Sequence, residues 1–92
     1  MGDLTGTIDW LVKKIERTYG GENTATLQKE IDWMNELLGI EIAASEESST
    51  GYVDALYYRT MNHLIEMSEK GNDEECERII DVIDNHLSEF EN

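Results

Sequence analysis

GNDEECERIIDVIDNHLSEF, residues 71–90, is the stretch on which the reading of the fold turns. Gly71 stops one helix and Asn72 is placed to cap the next. Glu75 stands three residues on, where a capping-box partner reaches back. Cys76, Ile79, Ile80, Ile83, Leu87 and Phe90 then recur at three- and four-residue intervals, an apolar stripe of helical period. Glu74, Glu77, Asp81 and Asp84, at the same kind of spacing, share the opposite face. The stretch predicts an amphipathic helix with one dry side and one charged side.

Working back toward the N-terminus, the same period returns three times. Val53, Leu56, Tyr57, Thr60, Leu64 and Met67 mark a helix over Thr50–Lys70. Leu27, Ile31, Met34 and Leu38 mark another over Thr24–Leu38, with Gly39 as its stop. Ile8, Leu11, Val12, Ile15 and Tyr19 mark the first, Thr7–Tyr19, closed by Gly20 and Gly21. Residues 40–50 break the pattern. Ser45, Glu46, Glu47, Ser48 and Ser49 read as a flexible acidic loop. Ile40 and Ile42 alternate with Glu41, but a lone strand has nothing to pair with, so an extended connector is expected. The fold class is therefore all-α: a small antiparallel bundle of about four helices with one flexible acidic loop, in a single domain over residues 1–92. Ile8-Asp9-Trp10-Leu11 and Ile31-Asp32-Trp33-Met34 echo each other, as two amphipathic helices of one design would, without defining a repeat.

Charge narrows the function. The chain has 21 Asp plus Glu against 7 Lys plus Arg, a formal net charge of −14. Residues 1–20 hold three acids and three bases, and residues 49–70 are at net −1. Residues 21–48 carry net −6 and residues 71–92 net −7, so the charge is gathered into two segments. Self-repulsion of this size opposes folding. Nucleic-acid binding rests on cations that displace counterions from phosphates, and only Lys13, Lys14 and Arg17 lie close together. Direct binding of nucleic acid or of an anionic membrane is not expected, and a basic protein surface is.

The chemistry of active sites is sparse. His63 precedes Glu66, and His86 precedes Glu89, by three residues, the reverse of the Glu-first order of bundle metal sites. Cys76, the lone cysteine, falls on the apolar stripe with acids beside it, which disfavours a thiolate nucleophile. No calcium loop, phosphate-cradling glycine loop or Ser-His-Asp set is visible. The expectation is no enzyme, no cofactor and no metal. No stretch holds the roughly 20 apolar residues of a membrane span. The first residues lack a signal-peptide pattern, and Gly6 stands where a myristoylation signal wants Ser or Thr. A cytoplasmic site, host cytoplasm for a virus-encoded chain, is expected.

In size, charge and helicity the chain is similar to small acidic virus-encoded inhibitors, namely DNA mimics and anti-CRISPR proteins. The likeness implies an inhibitor that occupies a nucleic-acid-binding surface. Its expected contacts are Glu74, Glu77, Asp81, Asp84 and Glu91, with Glu46 and Glu47 on the loop. An immunity or antitoxin protein facing a basic toxin would use the same acids. A helical dimerisation or adaptor module would instead use Trp10, Trp33, Tyr58, Met61 and Ile65, with a homodimer as the simplest case.

Overall fold

The computed structural model describes residues 3–91, the side chain of Glu91 excepted. Four helices, α1 (Thr5–Tyr19), α2 (Thr24–Leu38), α3 (Ser49–Glu69) and α4 (Asp73–Glu91), make up an all-α bundle with no strand among the described residues. The apolar stripes expected for each helix face inward. Leu27, Ile31, Met34 and Leu38 of α2 are all buried, as are Ile8, Leu11, Val12, Ile15 and Tyr19 of α1. α1 starts two residues before the expected Thr7. Leu4 is drawn into the core, and the Asp3 carboxylate accepts from the Thr5 N–H at 3.0 Å. α2 is capped by Asn23, whose side chain accepts from the Thr26 N–H at 2.8 Å. It closes at Gly39, whose φ of +69° is a left-handed conformation suited to glycine. Glu75 does not complete the capping box expected at the start of α4; its carboxylate accepts instead from the Arg78 guanidinium, one turn along.

α3 is the hub. It packs against α1 most closely, then against α2, and also against α4, whereas α2 stays further from α1 and α4. α1, α3 and α2 thus form one layer with α3 in the middle, and α4 crosses one face of it. The end of α1 (Glu16, Gly20) shares a groove with the start of α3 (Ser49–Asp54), so these two run antiparallel, as α3 and α4 do across the turn at Gly71. α2 runs the same way as α3: Gln28 and Ile31 lie by Tyr52, and Leu37 and Leu38 lie by His63 and Met67. That direction requires the connector to travel back along the pair.

The connector is tied down along its path. The Asn35 side chain accepts from the Ile42 N–H at 2.8 Å, Ile42 is buried, and Arg59 donates to the Glu41 carbonyl at 3.3 Å. At its end Ser48 caps α3, accepting from the Gly51 N–H at 3.1 Å and donating to Glu46 at 3.1 Å. Gly51 is buried beneath this turn. A Cβ there would meet Glu46 Cγ at 2.5 Å and the Glu46 carbonyl oxygen at 2.6 Å, so the close approach needs glycine.

Candidate functional site

The fourth helix exposes its acids because its apolar stripe must face α1 and α3. Glu74, Glu77 and Asp81 are exposed, and none has a hydrogen bond or ion pair among the described residues. Like charges at three- and four-residue spacing cost a helix a few tenths of a kcal/mol each, and Arg78 turns to Glu75 rather than into this row. Arg78 holds the Glu75 carboxyl below its usual range. Three free carboxylates therefore line the outer side of α4 over about two turns.

Asp84, the fourth member expected in the row, is half-buried at the seam between α4 and α1. Lys14 of α1 pairs with it at 2.5 Å and also donates to Ser88 at 2.8 Å. The Lys14 side chain is only 11% exposed, and its ammonium lies 5.7 Å from the centre of the Trp10 ring. A buried ammonium needs a carboxylate, so Asp84 is drawn out of the display to neutralise it. Glu91 lies outside the described residues as far as its side chain is concerned. Glu46 and Glu47 are exposed on the connector beside Gln28, Ile31 and Tyr52, on a different flank from α4's row, and Glu46 is engaged with Ser48. The structure thus brings together three of the seven residues as a free row.

A second polar cluster joins three helices. Glu30 of α2, its side chain 12% exposed, accepts from the Tyr19 hydroxyl of α1 at 2.5 Å and faces His86 Nε2 of α4 at 2.7 Å. The His86 ring stacks on Trp33 at 3.7 Å between centroids, and Phe90 meets Tyr19 edge-on at 5.2 Å. Burial first, and the bond to Glu30 second, push the Tyr19 hydroxyl well above its usual range. Trp33 is accordingly half-buried, its ring stacked on His86. Met61 and Ile65 are half-buried, while Trp10 and Tyr58 remain 50% and 55% exposed.

No protein-family model, curated protein or solved structure matches this chain. The site must therefore be read from its chemistry. Among the described residues no group of three or more His, Cys, Asp or Glu is arranged to hold a metal, and no helix is long and apolar enough to cross a membrane. Cys76 is buried, its Sγ 3.6 Å from the Leu64 carbonyl oxygen, and burial raises its thiol pKa, with Asp73 and Glu77 adding to the effect. A thiol held protonated and dry is a packing group. His63 lies in the groove between α2 and α3 beside Leu37, Leu38 and Met67.

Proposed function

We propose that this chain is a non-enzymatic acidic binding protein, an inhibitor that places the outer face of α4 on the basic surface of a nucleic-acid-binding protein. The observation that carries the reading is the free row Glu74, Glu77 and Asp81: exposed, unpaired among the described residues, and fixed on a rigid helix. Neighbouring Cβ atoms at this spacing are about 5–6 Å apart, similar to successive phosphates along a nucleic-acid strand. A surface built to accept phosphates would accept such carboxylates. Charge steering of this kind makes association fast and salt-sensitive. Three exposed carboxylates over about two turns, with the nearby Arg78 turned to Glu75 instead, are a poor choice for helix stability alone, which supports a use for them.

The test compares the wild-type chain with a Glu74→Gln, Glu77→Gln, Asp81→Asn variant, each immobilised and exposed to a lysate of the source cells. The expected result is a protein retained by the wild type, released by moderate salt and by duplex DNA, and not retained by the variant. Retention that DNA does not compete with would reject the phosphate-like reading. A captured toxin in place of a DNA- or RNA-binding protein would move the chain to the immunity class.

A further inference from the structure

The acid row leaves one other surface unexplained. α4 packs on one face of the α1–α3–α2 layer, against α1 and α3; among the described residues no helix lies on the other face. At its centre α3 turns Tyr58 outward, away from the buried row Val53, Leu56, Thr60 and Leu64. Met61 and Ile65 continue the stripe at three- and four-residue spacing, both half-buried, and Tyr57 braces Tyr58 edge-on at 4.9 Å. A stripe of this spacing on a 21-residue helix is the kind of seam another helix packs against.

We propose that this face, centred on Tyr58, is where a second copy of the same chain docks. Charge argues for that occupant. Net −13 of the −14 lies in residues 21–48 and 71–92, whereas residues 1–20 are balanced and residues 49–70 are at net −1. On α1 the exposed Asp9 and Lys13 neutralise each other at 2.9 Å. A strongly basic partner is drawn to α4, not here. A second copy, itself at −14, is repelled from the acidic segments and meets least opposition on this near-neutral face. About a two-fold axis the two α3 helices cross antiparallel, with Tyr58 of one copy over Ile65 of the other and the Met61 side chains near the axis. That contact is self-complementary, as a two-fold interface must be. Asp54 and Glu69, which flank the stripe, set like charges near each other at its ends, so added salt strengthens the pairing. α4 lies on the far side of each copy, so the dimer carries two acid rows facing outward and able to act together.

Sedimentation equilibrium over a range of protein and salt concentrations tests this, on the wild type, Tyr58→Asp and Trp10→Ala. Both substituted side chains are about half exposed, so the fold is retained; circular dichroism verifies it. The expected result is a wild-type dimer that tightens as salt rises, more than about ten-fold weaker association for Tyr58→Asp, and a Trp10→Ala dimer as tight as wild type. A wild type that stays monomeric throughout, a Tyr58→Asp dimer as tight as wild type, or loss of the dimer in Trp10→Ala would each overturn the proposal. The acid-row reading stands or falls separately, because its binding weakens with salt.

Discussion

Thr60 has a hydroxyl oxygen that is fully buried in α3 and finds no partner among the described residues. An unpaired buried hydroxyl costs about 1–3 kcal/mol. Thr60→Val keeps the side-chain shape and removes the polar atom, so urea unfolding should show a variant more stable by about 1 kcal/mol. Gly51 offers the opposite case. Its periodicity marks it as an ordinary helix position, but the connector sits where a Cβ would go. Gly51→Ala must push Glu46 and its backbone aside, and overpacking of this kind costs about 1–3 kcal/mol, to be read as a lower unfolding midpoint. The sequence alone hides both features, because each depends on atoms from another element.

Among the elements, the Tyr19–Glu30–His86 contact does what the spacing of α2 leaves undone: it ties α2 to α1 and α4 at one end of the bundle. In the folded chain the Tyr19 hydroxyl resists ionisation, while in the unfolded chain it ionises near its ordinary value of 10.0. The folded state therefore holds a proton that the unfolded state loses above that pH. This contribution is complete below pH 10 and falls as pH rises beyond it, by about 1.4 kcal/mol per unit. Tyr19→Phe should remove this component and flatten the alkaline limb of the stability profile, while lowering stability near neutrality by about 1.5–3 kcal/mol for the bond to a charged acceptor. Helix periods were legible because each helix states its own buried face, as Leu27, Ile31, Met34 and Leu38 do in α2. Cross-helix polar contacts were not. Nothing local links Glu30 to His86, 56 residues away, or Lys14 to Asp84, 70 residues away. For the same reason the acid row was legible only as helical spacing, and the loss of Asp84 to Lys14 was not. The direction of α2 was hidden too, since it follows from the path of the connector.

For the whole molecule, the charge is polarised. α1 and α3, the most closely packed pair, are nearly neutral, and the acids lie on α2, the connector and α4. Removing charge from α4 should therefore make the fold more stable as well as weaken binding. Replacing Glu74, Glu77 and Asp81 with their amides relieves repulsion between neighbours that costs a few tenths of a kcal/mol per pair. Thermal unfolding at low salt should show a slightly higher midpoint, with the gain vanishing at high salt as screening takes over. A variant that folds better but binds worse identifies carboxylates kept for contact.

That trade leads to the deciding measurement: affinity for the captured partner as a function of salt concentration, by isothermal titration, for the wild type and the α4 amide variant. The account predicts a steep fall in wild-type affinity with salt, and a much weaker, nearly salt-independent interaction for the variant. Equal affinities and equal salt slopes for the two proteins would show that the carboxylates of α4 take no part in recognition.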